Sequence, residues 1–310
     1  MTLIRDSEVV QPAPDLDPDA AWRATDWRQV ARAVKVRGRS VNFVEMGCGP
    51  AVVLIHGQGG CWQWWLRSIP SLARHARVIA VDLAGYGKSE PVGDSDAIDD
   101  QIATVVGVLN HLNISSAVVV GHSMGGVVAL AMAHLVPDRV RALVVVDSGT
   151  TAMGTGHLLL ISTAFRVFNS VFTPRTGLPV FVARRPWLRS ILFAVSMEHP
   201  TALSTALARQ LLPKMAAPGF MTTMKVVSDH LRTAGPPRVE CPTLVIWGAN
   251  DRILPLSMGR DLAAQISGAQ LVVFDGVGHS PMLEVPEQFN EAIERFVDEL
   301  GGDSVRRAAE

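Results

Sequence analysis

The sequence predicts an α/β protein: a mostly parallel eight-stranded sheet with helices on both faces and an inserted helical lid. Three observations predict it. Eight short apolar runs have the length and composition of strands. From His56 onward these runs alternate with helical patterns, the order expected of a parallel sheet covered on both faces. The alternation breaks once, between Ser148 and Pro237, where prolines divide an apolar stretch into short helices.

The elements follow in chain order. Residues 1–31 form an N-terminal arm, and its first twenty residues are Pro- and Asp-rich and expected to be loose. Strands at 33–37 and 41–46 make an opening hairpin, followed by a strand at 51–56, a helix at 62–73 and a strand at 77–82. A helix at 98–112, a strand at 117–120, a helix at 127–135 and a strand at 141–147 complete the first part of the core, 32–147. The lid is assigned to 148–237. Within it Leu158, Ile161, Phe165, Phe168 and Phe172 recur at steps of three and four, the spacing of one helical face. The second part of the core, 238–300, holds strands at 243–247 and 270–274 and helices at 258–266 and 286–300, and 301–310 is a tail.

A chain of 310 residues that is 48% hydrophobic can bury a sizeable core. Its formal net charge of −1 gives no global attraction to nucleic acid. Cys48, Cys61 and Cys241 are odd in number and widely spaced, which fits neither a disulfide framework nor metal ligation. With no apolar run near the start, this points to a cytoplasmic protein that needs no cofactor or metal. Residues 117–136 carry no formal charge and are long enough to span a membrane, but Gly121, Gly125 and Gly126 punctuate them as strand, turn and helix.

Charge is uneven. From Thr150 to Pro236 nine Lys or Arg face only Glu198 and Asp229, a net +7, so the rest of the chain carries −8. Solvated helix faces are the ordinary explanation. The sharper one is a basic, apolar lid that meets an anionic or amphiphilic substrate, or makes weak contact with an anionic membrane.

The chemistry centres on Gly121-His122-Ser123-Met124-Gly125, set between the strand at 117–120 and an apolar helix. In that setting G-x-S-x-G is a nucleophile elbow, a turn so tight that small residues must flank the serine. Serine needs a base oriented by a carboxylate. Trp247-Gly248-Ala249-Asn250-Asp251 puts a carboxylate at the end of one strand, and Val277-Gly278-His279-Ser280-Pro281 puts a histidine after the next. Asp147, ending the strand at 141–147, competes with Asp251 for the acid role or caps the turn into the lid. His56-Gly57-Gln58-Gly59-Gly60 can turn a backbone amide toward a substrate oxygen, so the expected oxyanion donors are the N–H groups of Gln58 and Met124. His56 and His122 read as structural, Cys61 as a buried thiol, and Trp62, Trp64 and Trp65 as core with one ring near the acyl pocket.

With Asp82-Leu83-Ala84-Gly85-Tyr86-Gly87-Lys88-Ser89 added, the motifs resemble the lidded, epoxide-hydrolase-like branch of the α/β-hydrolases over residues 32–300. The resemblance implies hydrolysis through an acyl-enzyme, with Ser123 as nucleophile, His279 as base and then acid, and Asp251 orienting the imidazole. Epoxide hydrolases and haloalkane dehalogenases carry aspartate where Ser123 stands, and the single tyrosine, Tyr86, lies outside the lid, which argues against epoxide opening. A small-molecule carboxylic ester, apolar or amphiphilic, is the expected substrate. Carbon–carbon cleavage of ring-fission diketones and peroxide-dependent chemistry use the same triad, and a ligand receptor on this fold is the non-enzyme alternative.

Overall fold

The computed structural model describes residues 17–91, 98–150, 163, 177–233 and 238–307, without the side chains of 221 and 302–307. The strands are β1 (Ala31–Val36), β2 (Arg39–Met46), β3 (Ala51–Ile55), β4 (Arg77–Val81), β5 (Ala117–His122), β6 (Val140–Val146), β7 (Thr243–Gly248) and β8 (Gln270–Phe274). They form one sheet in the order β1-β2-β4-β3-β5-β6-β7-β8. β2 is antiparallel to both neighbours, and every other pair is parallel. The expected strands are all present, with every end within two residues of its expected place.

Alternation along the buried strands sorts the core into two layers, because successive side chains point to opposite faces of a sheet. Val52, Leu54, Val118, Val120, Val144 and Ile246 pack on one side. Val53, Ile55, Val119, Val145, Val245 and Trp247 pack on the other. α4 (Ile98–His111) and α5 (Met124–Leu135) cover the second layer. The charge-free run 117–136 is thus a strand followed by a helix. Among the described residues no helix is long and apolar enough to cross a membrane.

Two expectations need correction. Residues 62–73 are not one helix: a 3-10 turn covers Trp62–Trp65 and a separate short helix, α3, covers Ile69–Leu72. Pro70 has no N–H to return to Leu66 and its ring crowds that carbonyl, which breaks a helix running through 62–73. Of the first twenty residues, expected to be loose, the described ones, 17–20, are packed. Asp19 reaches inward to Arg67 Nε at 2.8 Å, and the short helices α1 (Ala20–Ala24), which buries Trp22, and α2 (Trp27–Val30) follow.

The described lid helices are Leu178–Ala183, Pro186–Phe193, Thr205–Leu211 and Phe220–Thr233. The helical face predicted from Leu158 to Phe172 lies outside the described residues. Val182, Phe193, Leu203, Leu207 and Leu211 join the first core layer instead of forming a core of their own. The lid closest to the site is held by backbone: Gly219 N–H donates to Gly85 O at 3.0 Å, and a Cβ on Gly85 would sit 2.7 Å from Gly219 Cα.

Candidate active site

Parallel strands bring their carboxyl ends to one rim, so residues far apart in the chain gather there. Ser123 follows β5, Asp147 follows β6, Asp251 lies just past β7, and His279 lies in the loop after β8. Gln58 follows β3 and faces the lid.

Ser123 occupies the elbow at φ +51°, ψ −119°, a strained conformation for a residue with a side chain. The strain persists because the surroundings fix it. The Ser123 N–H donates to Val146 O at 2.9 Å, and Ser123 O accepts from Gly126 at 2.8 Å. A Cβ on Gly121 would lie 2.3 Å from Gly125 O, and one on Gly125 would lie 2.4 Å from Ile55 O. Ser123 is half-buried, while both its neighbours are buried. Met124 opens α5, so its N–H has no acceptor within the helix.

The base and the acid are already joined. His279 Nδ1 lies 2.7 Å from Asp251 Oδ2, both side chains being almost wholly buried. Asp251 Oδ1 accepts from Ile253 N–H at 2.7 Å and Leu254 N–H at 2.9 Å. Three donors therefore serve this carboxylate and hold it in one orientation. Asp147, the rival acid, is placed differently. Its backbone sits at φ +42°, and its Oδ1 accepts only the Gly248 N–H, at 2.8 Å. One carboxyl oxygen of each acid and a ring nitrogen of His279 lie within 4.8 Å of one another. Complete burial, and then the Asp251 charge, push the Asp147 carboxyl well above the usual carboxylate range. Two carboxylates this close do not both ionise, and the proton rests on the one with fewer donors. Burial and the neighbouring Asp251 thus favour the neutral form of Asp147.

Two further histidines build the walls. His56 Nδ1 bonds Gly57 O at 2.8 Å, and its Nε2 accepts from Leu83 N–H at 3.1 Å. His122 Nε2 donates to His279 O at 2.7 Å, and its ring lies 4.9 Å from that of His279 and stacks on Trp64 at 6.3 Å. Burial keeps both rings neutral, depressing His122 well below the ordinary imidazole range. Both therefore bond loop backbone, as the sequence suggested. Trp62, Trp64 and Trp65 are all buried, and only Trp64 reaches a site residue. Burial pushes the Cys61 thiol up, which leaves it unreactive.

The Gln58 side chain is locked. Its Nε2 donates to Phe220 O in the lid, and its Oε1 accepts from Tyr86 Oη at 3.0 Å. The Tyr86 Oη lies 3.7 Å from Met124 Sδ. The ring of Phe220 and the backbone of Met215 press on Gly59 of the same loop. The wall above this loop is thus apolar lid.

Three supports escaped the sequence reading. Glu284 Oε1 accepts from Gly278 N–H at 3.0 Å and its Oε2 from His199 N–H at 2.8 Å, tying the histidine loop to the lid. Asp82 accepts from Trp62 N–H, Asn42 Nδ2 and Lys88 N–H, fixing the loop that carries Tyr86. Arg67 gathers Asp19, Leu283 O and Ala202 O below the site. The bonds of Arg67, the Glu284–His199 bond and those from Trp62 and Asn42 to Asp82 join residues twenty or more apart, too far for a local pattern to reveal.

A nucleophile elbow, a carboxylate–imidazole pair and a glycine loop on the carboxyl rim of such a sheet define the class of serine-centred α/β hydrolases. The alpha/beta hydrolase family model matches residues 52–292, and the chain belongs to that family. It is 30% identical over 282 residues to the 2-hydroxymuconate semialdehyde hydrolase of a Pseudomonas species, covering 89% of this chain and 97% of the relative. It is 32% identical over 269 residues to a 2-hydroxy-6-oxononadienedioate/2-hydroxy-6-oxononatrienedioate hydrolase of Cupriavidus pinatubonensis, covering 83% and 90%. Among solved structures it is similar to a thermophilic esterase from Thermogutta terrifontis, with 26% identity, a TM-score of 0.71 and coverage of 87% and 99%.

Proposed function

We propose that the chain hydrolyses carboxylic esters through an acyl-enzyme. The observation that carries this reading is the buried 2.7 Å pair of His279 and Asp251 on the same rim as a serine held at positive φ. His279 Nε2 takes the Ser123 proton as Oγ attacks the ester carbonyl, and the imidazolium faces the ionised Asp251. The developing oxyanion receives the N–H groups of Gln58 and Met124, each worth about 10²–10³ in rate in comparable sites. His279 returns the proton to the leaving alkoxide, and water repeats the sequence on the acyl-enzyme. The Phe220 ring beside Gly59 and the Met124 side chain favour an apolar acyl or alcohol group.

A second reading is favoured by the relatives named 2-hydroxymuconate semialdehyde hydrolase and 2-hydroxy-6-oxononadienedioate/2-hydroxy-6-oxononatrienedioate hydrolase: the same triad would cleave a carbon–carbon bond beside a ketone. Both readings use Ser123. Ser123→Ala should lower turnover of short p-nitrophenyl esters by about 10⁴ or more with an unchanged thermal transition; retained turnover would sink the mechanism. A kcat/KM at least about tenfold higher for a ring-fission dienoate than for the best ester would move the assignment to the second reading.

A further inference from the structure

The lid helix Pro186–Phe193 is built inside out. Its charged residue, Arg189, is buried and directs Nη1 inward to Ala183 O at 2.6 Å and Thr205 Oγ1 at 3.1 Å. Trp187, Ile191 and, in the turn that follows, Val195 recur at steps of four and point the other way, 62%, 68% and 58% exposed. The preceding helix, Leu178–Ala183, adds Val180 and Phe181, 40% and 46% exposed. These five account for nearly all the large exposed apolar side chains among the described residues. Isolated exposed apolar residues are normal, but a group drawn from two consecutive helices marks a surface that something covers.

The charges around the group select the occupant. Between Gly177 and Met197 the chain has Arg184, Arg185 and Arg189 and no acid. Arg184 is exposed, and the Arg185 guanidinium lies 3.6 Å over the Phe181 ring, its charge carried on an aromatic face. The acids nearest in sequence are already engaged: Glu198 pairs with Arg252, and Asp229 pairs with Lys225 and Arg232. A second copy meeting this face about a two-fold axis would set arginines against arginines. An anionic lipid surface supplies both missing complements, acyl chains for Trp187, Ile191 and Phe181 and headgroup charge for Arg184 and Arg185.

We propose that the outer face of the two lid helices, from Val180 to Val195, docks on an anionic lipid bilayer. The inference is independent of the ester reading, because it concerns a surface that contains no residue of the triad. Docking here would hold the lid side of the site at the membrane, where amphiphilic esters concentrate.

The test is flotation of the full chain with vesicles of phosphatidylcholine, alone or with about a third phosphatidylglycerol. Using the Ser123→Ala protein keeps binding separate from hydrolysis. The expected result is binding at least about tenfold tighter to the anionic vesicles, falling as salt is raised. Trp187→Glu/Ile191→Glu should lose about tenfold or more of that binding, and Arg184→Gln/Arg185→Gln should lose a similar factor without touching the apolar row. With Ser123 present, both variants should keep ester turnover within about twofold, which verifies that they fold. Equal binding to neutral vesicles, no binding to either, or unaltered binding by both variants would overturn the proposal. A concentration-dependent dimer that Trp187→Glu/Ile191→Glu dissolves would also overturn it, assigning the face to a second copy.

Discussion

The rim of the sheet and the outer face of the lid treat charge in opposite ways. On the rim, Asp251, His279 and Asp147 are buried: Asp251 accepts from N–H groups of its own loop, Asp147 from the Gly248 N–H at the end of β7, and His279 bonds Asp251. On the lid helix Pro186–Phe193 the charge turns inward to a carbonyl while Trp187 and Ile191 stand in water. Each choice costs stability: buried carboxylates lose hydration, and exposed apolar area forfeits about 25 cal/mol per Å². The rim recovers its cost through directed bonds among its own residues. Among the described residues the lid face shows no comparable set of bonds, and we propose that its complement is a lipid surface. The comparison separates a region organised for chemistry from one organised for contact.

The strongest challenge to this picture is Asp251→Asn. The shape is kept, but the amide cannot balance an imidazolium or enforce the productive tautomer, so kcat should fall by about 10³–10⁴ with little change in melting temperature. A loss below about tenfold would show that Asp147 carries the acid role, and the rim would have to be redrawn.

Asp19→Ala tests whether the lid is held from beneath. Arg67 and Asp19 are both buried, and Ser204 of the lid also bonds Asp19. Leaving Arg67 unpaired should cost about 3–5 kcal/mol in urea unfolding. Burial alone would raise the Asp19 carboxyl, but the bonds from Arg67 and Ser204 outweigh it and hold it below the usual range. Its contribution is therefore present above the ordinary carboxylate range and lost as pH falls through the lowered value, so parent and variant should converge on acidification. A constant gap across that window would refute the linkage.

Asp147→Asn should have the smallest effect, because an amide can accept from Gly248 and donate to Asp251 as the neutral acid does. We expect kcat within about threefold of the parent. The sign of the pH effect is opposite to that for Asp19. A raised carboxyl favours the fold fully below the unfolded value near about 4, and the parent loses that contribution as pH rises toward the folded value. The asparagine variant should lack this decline, and identical pH profiles of stability would show that Asp147 is ionised in the folded protein.

Much of this architecture was legible in the chain. The strands were visible because buried parallel strands are continuously apolar and end in turn residues, and Ser123, Asp251 and His279 were visible because each follows one of them. Asp147 was visible as a candidate, but not its state, which depends on Asp251 approaching it across the β6–β7 gap. The break after Trp65 follows from Pro70, a residue visible in the sequence. The packing of residues 17–20 was not legible, because the partner of Asp19 lies far along the chain. Asp19 reads as one more charge in an acidic stretch until Arg67 is placed beside it.

The sequence by itself determined the order of strands and helices, the glycines that permit the elbow, and the order along the chain of the candidate residues Ser123, Asp251 and His279. These follow from local rules of periodicity, sterics and turn chemistry. Only the tertiary structure decided which of two carboxylates stays charged, which lid residues lean on Gln58, and which face of the helix from Pro186 to Phe193 looks outward. Those outcomes depend on distances between segments that meet only after folding, where burial and a neighbour's charge outweigh a residue's intrinsic preference.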